Sequence, residues 1–335
     1  MKHALTAPDD DKDFPGVTTQ NTPPRFHFSC FGANALPFVR NRQVECNSIA
    51  DARRFVPAGP DNIGKDLQTT SMIDIAEKIP LNPMRNLKIV LAYDGSEFSG
   101  WQVQPGAATI QGTLASAIGR VTGEKVLPQG SGRTDAGVHA LAQVATFTTE
   151  SPIPTRNLGK ALNHVLPPSI RVLEASEAPP EFHARTSARA KTYRYRIYRG
   201  AICSPFLARY VWHYPYPLDQ DALRSAAGFV IGEHDFTSFA AVDSERGSQD
   251  EPVSNVRQIF ASTWERGMDD EELVYLIRGS GFLHHMVRNL VGTFMLAGKG
   301  TLKPEDMAGI LAARSRSAAG ATAPASGLYL VSVEY

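Results

Sequence analysis

The sequence predicts an α+β fold in which a mostly antiparallel sheet carries helices on one face. From residue 86 onward, segments with the period of a strand alternate with segments with the period of a helix. The turns between them are too short for many parallel crossovers, which need about a dozen residues each. At 335 residues the chain is long enough for about two domains, each with its own core.

Residues 1–85 differ from the remainder of the chain in composition and in apolar periodicity. Prolines and polar residues punctuate this segment, and no apolar periodicity in it lasts ten residues. We therefore predict a poorly structured N-terminal extension, with a short helix near Met72 to Lys78 as its candidate element. Met84 lies just before the first convincing strand, so two interpretations stay open: a start placed too far upstream, or a translated but dispensable tail.

The first predicted domain, residues 86–185, contains four strands and two helices around a glycine-rich loop. The strands are Leu87–Tyr93, Glu124–Leu127, Leu141–Phe147 and Ile170–Leu173, and the helices begin at Thr109 and Pro154. Thr109 is a favourable N-cap, and apolar residues recur behind it at helical spacing. Asp94-Gly95 is a turn signal directly after the first strand.

The loop between the second and third of these strands has the most informative composition. Residues 130–140 read Gly-Ser-Gly-Arg-Thr-Asp-Ala-Gly-Val-His-Ala, with three glycines in the first eight positions. Glycine permits a positive φ and lets another molecule approach the backbone closely. Arg133, Asp135 and His139 supply one guanidinium, one carboxylate and one imidazole. Loops on a rigid scaffold commonly present functional residues, whereas a simple polar turn would not need the whole string.

The second predicted domain, residues 186–335, begins with a strand that runs to Tyr198. Its alternation places Tyr193 and Tyr195 on one face and Arg194 and Arg196 on the other. An aromatic face and a cationic face suit an element beside stacked bases and phosphates. Composition alone fits an ordinary strand with a solvated basic face equally well.

A predicted helix after Gly281 carries an arginine beside its apolar stripe. Val287, Leu290 and Phe294 recur at helical spacing, and Arg288 adjoins them. We expect Arg288 to be partly buried, and a half-buried guanidinium needs a carboxylate partner. The other predicted elements of this half are a helix over Leu223–Val230, ended by Gly232, and strands near Val256–Ala261, Glu272–Arg278 and Gly327–Val333.

The charge distribution favours an RNA partner although the total charge does not. With 34 basic and 34 acidic residues the net charge is zero, whereas nucleic-acid-binding proteins often have excess positive charge. Residues 182–218, however, contain seven lysines and arginines and no acid, and residues 273–304 also contain no acid. Two such segments could line one electropositive cleft on a neutral protein.

Three motifs resemble those of the tRNA pseudouridine synthase A family. Residues 132–139, Gly-Arg-Thr-Asp-Ala-Gly-Val-His, resemble its signature loop; Tyr93-Asp94-Gly95 followed by Gly100-Trp101-Gln102 resembles its opening motif; and residues 234–239 match a third. The resemblance covers about residues 87–335. It implies two similar halves of RNA-recognition-motif or ferredoxin-like type, joined into one extended sheet with the active site in the cleft between them.

The resemblance also implies roles for individual residues. Asp135 corresponds to the catalytic nucleophile, Arg133 to an arginine that assists base flipping, and Tyr193 to a tyrosine that stacks on the uracil and is a candidate base. We predict that Arg288 pairs with Asp135 and fixes its orientation. Further substrate contacts are expected from four cationic or aromatic residues: Arg185, Arg194, Arg196 and Phe282.

Pseudouridine formation breaks the N1–C1′ bond of uridine, rotates the detached uracil and joins C5 to C1′. The reaction consumes no water and involves no redox change, so we expect no cofactor and no metal. By resemblance, the targets are uridines 38, 39 and 40 of the tRNA anticodon stem-loop, and the protein is a homodimer. Two alternatives stay open: an RNA chaperone without turnover, and a glycosidase. The glycosidase would need a second carboxylate, for which Asp94 and Asp235 are the candidates, although both read as turn or cap residues.

The remaining residue classes argue against other kinds of site. Three cysteines share no metal-binding spacing, which favours a reducing cytoplasm, and no long apolar run predicts a membrane segment. His284 and His285 are expected on a helix, where adjacent side chains diverge by about 100° and cannot easily share an ion. His139 is expected to form structural hydrogen bonds within the loop.

Overall fold

The computed structural model describes residues 83–241, 254–267 and 270–335. The predicted extension over residues 1–85 lies outside these ranges except for its last three residues, and so does the predicted helix near Met72. The division into domains at residue 185 stays a prediction, because one sheet runs through both predicted domains.

The described residues form one sheet and five α-helices, which confirms the predicted α+β class. The strands are β1 Arg85–Tyr93, β2 Gln129–Gly130, β3 His139–Thr149, β4 Ile170–Ala178, β5 Ala190–Tyr198, β6 Trp212–His213, β7 Gly232–Asp235, β8 Val256–Arg266, β9 Glu272–Gly279 and β10 Leu328–Glu334. The helices are α1 Ile110–Thr122, α2 Thr155–Val165, α3 Gln220–Gly228, α4 Met286–Gly298 and α5 Asp306–Ala313.

The strand order is β4-β1-β3-β10-β5-β9-β8-β7, with β2 beside β3 and β6 beside β5. When β6 and β7 are left out, each half has four strands, and both halves repeat one spatial order of last, first, third and second strand: β4-β1-β3-β2 and β10-β5-β9-β8. Neighbours along the main path are antiparallel except β3 and β10, which are parallel. At this junction between the halves, Tyr329 lies opposite His139 and Leu330 lies opposite Ala140.

The core lies between one face of the sheet and the helices. Alternate residues of β1 are buried, as a strand with one covered face requires. Fully buried side chains from both halves contribute: Leu87, Ile89, Leu91, Leu114, Ile118, Tyr195, Ile197, Leu290 and Phe294. Each such side chain contributes about 1.5–3 kcal/mol through burial, so this packing holds the loops between the strands in place.

The predicted strand at Glu124–Leu127 is wrong, and a two-residue strand, β2, forms after it instead. Gln129 pairs with Thr146 of β3. Continuing that register would carry residues 124 and 125 past Thr149, where β3 ends, and Pro128 has no N–H to extend the ladder. Residues 124 and 125 would therefore have no partner on β3.

Two predicted helices have different ends. The helix predicted over Leu223–Val230 is α3, which begins earlier because the carboxylate of Asp219 accepts backbone N–H bonds from Asp221 and Ala222, and it ends at Gly228. The helix predicted after Gly281 begins only at Met286. His285 adopts a left-handed conformation, with φ 60°, which cannot belong to the helix.

Candidate active site

The loop over residues 130–139, termed the signature loop, is fixed next to Asp135 by contacts within the first half of the sheet. The backbone N–H of Trp101 donates to the carbonyl of Thr134 at 3.0 Å. The hydroxyl of Tyr93, at the end of β1, lies 2.8 Å from the hydroxyl of Thr134. Both contacts involve the residue before Asp135, so they fix the backbone that carries its carboxylate.

The glycine of the opening motif has a steric reason to be there. Gly100 has φ +89°, and a Cβ at this position would lie 2.6 Å from the carbonyl oxygen of Thr134. A larger residue would push the chain away from the signature loop and strain the backbone. The opening motif and the signature loop therefore form one packed unit.

The carboxylate of Asp135 faces the guanidinium of Arg288 across the junction between the halves. Nη1 of Arg288 donates to Oδ2 of Asp135 at 2.8 Å, and the two side chains are 15% and 17% exposed. Nε of the same guanidinium donates to the carbonyl of Ala323 at 2.8 Å. A carboxylate with little solvent around it is thus given a charged donor with a fixed direction.

The segment over residues 314–325 positions Arg288, a contribution that the sequence did not reveal. It packs against α4 so closely that a Cβ on Gly292 would lie 1.7 Å from the carbonyl oxygen of Ala321. The backbone N–H of Gly320 donates to the Thr293 hydroxyl at 2.9 Å. These contacts place the Ala323 carbonyl where it orients the guanidinium. A loop of small residues gives no periodic signal from which this docking could be predicted.

Tyr193 and Phe282 form an aromatic pair near Asp135. Their ring centroids are 5.1 Å apart, and the planes are nearly perpendicular at 83°. Burial raises the pKa of the Tyr193 hydroxyl well above its ordinary value, and the charge of Asp135 adds to this shift. Tyr193 therefore keeps its proton at neutral pH, which favours a stacking role for its ring over a role as a base.

His284 and His285 both approach Asp135, so the expectation that they diverge on a helix is wrong. Both precede α4, and their rings lie 4.0 Å apart. Nε2 of His284 is 3.6 Å from Oδ1 of Asp135, and Nε2 of His285 is 3.4 Å from Oδ2. Burial lowers the pKa of His285, and this effect outweighs the opposite influence of the carboxylate.

Lys191 is a further residue at the site that the sequence did not single out. Its ammonium group donates to the carbonyl of Ser131 in the signature loop at 2.5 Å. Burial, reinforced by the neighbouring charges of Arg185 and Arg257, lowers the pKa of Lys191 to about 8. It belongs to the acid-free segment 182–218, and that was its one sequence signal.

The predicted cationic contacts are distributed over several surfaces. Arg133 and Arg185 are exposed, the first on the signature loop. Arg194 and Arg196 lie on the face of β5 opposite Tyr193, above the ring of Tyr329, at 5.2 Å and 5.9 Å from its centroid. The guanidinium of Arg196 is also bonded to Glu272. The structure thus brings Asp135, Arg288, Tyr193 and Phe282 together and places Arg194 and Arg196 across the sheet from them.

His139 forms a structural hydrogen bond, but with the opening motif and not within the loop as the sequence predicted. The backbone N–H of Gly95 donates to its Nδ1 at 3.2 Å, and the imidazole stacks on Tyr329 with centroids 4.7 Å apart. Burial lowers the pKa of His139, an effect larger than the opposing charge of Asp94. The neutral ring therefore packs at the junction between β3 and β10.

The two candidate second carboxylates are turn residues, as the sequence indicates. Asp94 accepts the backbone N–H of Ser96 at 2.9 Å, and the Tyr210 hydroxyl donates to it at 2.9 Å. Asp235 accepts the backbone N–H of Thr237 at 2.9 Å. Both carboxylates are used to stabilise local backbone, which argues against a glycosidase pair with Asp135.

Comparison with known proteins extends what the fold and the site indicate. The sequence model of a family described as tRNA pseudouridine synthase matches residues 89–187 and 226–335. The tRNA pseudouridine synthase A of Solibacter usitatus is 55% identical over 252 residues, which is 75% of this chain and 100% of that protein. Those of Moorella thermoacetica and Bacillus pumilus are 49% and 45% identical, over 74% of this chain and 99% and 98% of theirs.

A large, mostly antiparallel α+β sheet that carries a partly buried, arginine-paired aspartate is therefore found in a chain whose relatives are tRNA pseudouridine synthases. The chain belongs to the tRNA pseudouridine synthase A family. It is an isomerase that converts uridine to pseudouridine in tRNA. Within the described ranges, no helix combines the length and apolar character needed to cross a membrane.

Proposed function

We propose that this enzyme modifies uridines 38, 39 and 40 of the anticodon stem-loop, with Asp135 as the single catalytic carboxylate. The choice of uridines rests on the resemblance of the signature loop to that of the family. The choice of Asp135 is supported mainly by the 2.8 Å ion pair with Arg288, which joins residues 153 positions apart at the junction between the halves. A carboxylate held in this way is oriented for chemistry at one point.

Asp135 can serve the reaction by either of two routes. It attacks C1′ as the N1–C1′ bond breaks, or it assists loss of the C2′ proton. In both, the freed uracil rotates, C5 bonds to C1′, the hydrogen on C5 leaves as a proton, and N1 ends with a proton in place of its bond to C1′. On the second route the proton taken from C2′ is also returned. Asp135 is regenerated at the end, so atoms balance with no added reactant. The hydroxyl of Tyr193, whose pKa is raised by burial, stays protonated beside the base.

The uridine reaches Asp135 by flipping out of the stem, because a stacked base cannot enter a site with so little exposed carboxylate. Arg133 is exposed on the signature loop two residues before Asp135, a position from which it can meet the displaced strand. Tyr193 and Phe282 provide aromatic surface for the flipped uracil. Arg185 extends the cationic surface beyond Lys191, and Arg194 and Arg196 are assigned to RNA contacts away from the reacting base.

The enzyme is proposed to act as a homodimer, as the resemblance implies. Support comes from two apolar side chains on the loop before β6, Ile202 and Phe206, which are 86% and 89% exposed. Large apolar side chains that are so exposed favour a protein contact. Light scattering after size exclusion tests this: wild type should have twice the mass of the chain, and Phe206→Ser should shift it toward the monomer. A monomeric wild type would contradict the proposal.

Release of tritium from tRNA labelled at uridine C5 tests the function. Joining C5 to C1′ expels the C5 hydrogen, so release reports isomerisation and not binding. We expect release by wild type and at least about a thousandfold less by Asp135→Asn. Transcripts with uridine replaced at positions 38, 39 and 40 together should show no release.

A matched variant controls for folding and binding. Asp221 is an exposed carboxylate on α3, and Asp221→Asn should release tritium at the wild-type rate. Asp135→Asn should still bind tRNA in a filter assay. Full activity in Asp135→Asn would contradict the assignment of the carboxylate, and release from the triply substituted transcript would contradict the assignment of the targets.

A further inference from the structure

Asp135, His284 and His285 bring three metal-ligand atoms together next to the proposed reaction centre. One ligand atom from each residue lies within 4.8 Å of the other two. The two imidazole Nε2 atoms are 3.6 Å and 3.4 Å from the carboxylate oxygens. In a tetrahedral zinc site with bonds of about 2.1 Å, ligand atoms lie about 3.4 Å apart. Small side-chain rotations would therefore complete such a geometry.

The chemistry of the three ligands selects a class of ion. Two imidazoles and one carboxylate suit zinc and the neighbouring divalent transition metals, and they leave a coordination position for water. Magnesium and calcium prefer sites made only of oxygen ligands. The side chains of His284 and His285 are 41% and 29% exposed, so an ion can reach them from solvent.

The ion pair with Arg288 leaves one carboxylate oxygen for the metal. Nη1 of Arg288 donates to Oδ2, while Oδ1 is the oxygen that faces His284. A carboxylate can accept a guanidinium N–H on one oxygen and bind a cation with the other. The nearby positive charge of Arg288 opposes cation binding, so we expect affinity below that of a structural zinc site.

We propose that Asp135, His284 and His285 bind a divalent transition-metal ion such as Zn²⁺, and that its binding inhibits the synthase. The inhibition rests on the proposed role of Asp135, since a carboxylate bonded to a metal is unable to attack C1′ or to take up the C2′ proton. The ion also occupies the space in front of the carboxylate, where the flipped uridine must enter. It is an inhibitor and not a cofactor, so the reaction itself needs no metal.

Cobalt binding to the full chain tests the site without reference to activity. Co²⁺ replaces Zn²⁺ with the same ligands and absorbs visible light when bound. After chelator treatment, wild type should bind one Co²⁺ more than either His284→Ala or His285→Asn, with loss of the corresponding absorption. Asn tolerates the left-handed backbone at position 285, so this variant should fold. His164→Ala removes an exposed imidazole on α2 and should bind Co²⁺ as wild type does.

Tritium release with added Zn²⁺, reversed by EDTA, tests the inhibition. The concentration that halves each protein's own metal-free rate should rise at least about tenfold in His284→Ala and His285→Asn, and should not change in His164→Ala. Equal Co²⁺ binding by wild type and by a protein that carries both His284→Ala and His285→Asn would overturn the proposed metal site.

Three further outcomes separate the site from the proposed function. Loss of Co²⁺ binding in the variants without Zn²⁺ inhibition of wild type would overturn the inhibitory role. Asp135→Asn should lose the same Co²⁺ ion, and retention of it there would overturn the carboxylate ligand. Full tritium release by Asp135→Asn, together with loss of that ion, would leave the site supported and overturn the catalytic assignment.

Discussion

The two halves of the sheet meet at Asp135, but they hold their contributions to the site in different ways. In the first half, the signature loop is fixed by Tyr93 and Trp101, which come from the strand and the opening motif just before it. In the second half, Arg288 is oriented by the carbonyl of Ala323, which lies 35 residues further along in a loop. In the proposed mechanism, the first half supplies the reacting carboxylate and the second half orients it.

Because of this difference, substitutions in the two halves should affect turnover in different ways. From the proposed role of Asp135, we expect alteration of the signature loop to remove the reacting group, and alteration of α4 or the segment 314–325 to leave the carboxylate in place with the wrong orientation. Misorientation of a reacting group by about 1 Å can reduce turnover about a hundredfold without a comparable effect on binding. Separate measurement of kcat and KM therefore distinguishes the halves.

Among changes in the second half, which orients the carboxylate, the largest effect is expected from Arg288→Ala. Asp135 loses its charged donor in a site with little solvent, so kcat should fall about a hundredfold or more while KM changes little. Single-turnover kinetics on tRNA provide the measurement. Arg224→Ala, which removes an exposed arginine on α3, should leave both constants unchanged. A loss confined to KM would contradict the orienting role.

Tyr193 should show a smaller effect that depends on its ring and not on its hydroxyl. Tyr193→Phe keeps the ring and should stay within about threefold of wild type, because burial holds the hydroxyl protonated and unable to act as a base. Tyr193→Leu should lose roughly ten- to a hundredfold, since stacking on a base contributes about 1–3 kcal/mol. Equal losses in both variants would show that the hydroxyl takes part in proton transfer.

Lys191 links the two halves directly, because its ammonium group joins β5 of the second half to the signature loop of the first. With a pKa of about 8, its ammonium group is charged below that pH and loses its proton above it. Wild-type kcat should therefore fall several-fold as pH rises past about 8, as the bond to the Ser131 carbonyl weakens.

Lys191→Arg should keep its activity to higher pH, because a guanidinium stays charged. Lys160 is an exposed lysine on α2, and the control variant Lys160→Arg should follow the wild-type pH profile. An identical alkaline limb in Lys191→Arg and wild type would rule out Lys191 as its cause.

The smallest expected effect concerns stability at the junction. Burial lowers the pKa of His139 below its ordinary 6.5, so the unfolded chain takes up a proton at a higher pH than the folded protein. Stability from the neutral ring is present above about pH 6.5 and is lost as pH falls toward the lowered pKa, by on the order of 1 kcal/mol per pH unit.

Urea unfolding at about pH 7.5 and pH 5.5 measures this loss. His139→Gln should show a smaller difference between the two pH values than wild type, and His164→Gln, exposed on α2, should match wild type. The same pH dependence in His139→Gln and wild type would assign the effect to other groups.

Local spacing was enough to predict part of this site. The period of a strand placed Tyr193 and Arg194 on opposite faces of β5, and the structure has them there. The period of a helix placed Arg288 beside an apolar stripe, from which its need for a carboxylate followed. Both predictions use backbone geometry that repeats every few residues, so a short sequence determines them.

Tertiary structure alone decided which groups converge on Asp135. Lys191 contacts Ser131, 60 residues earlier in the chain, and Ala323 contacts Arg288 from a stretch outside the helices and strands. His284 and His285 point at one carboxylate because the chain bends at position 285 before α4 begins. Loops have no period from which a side-chain direction could be predicted. These contacts exist because the parallel pairing of β3 with β10 brings the two halves together at this point.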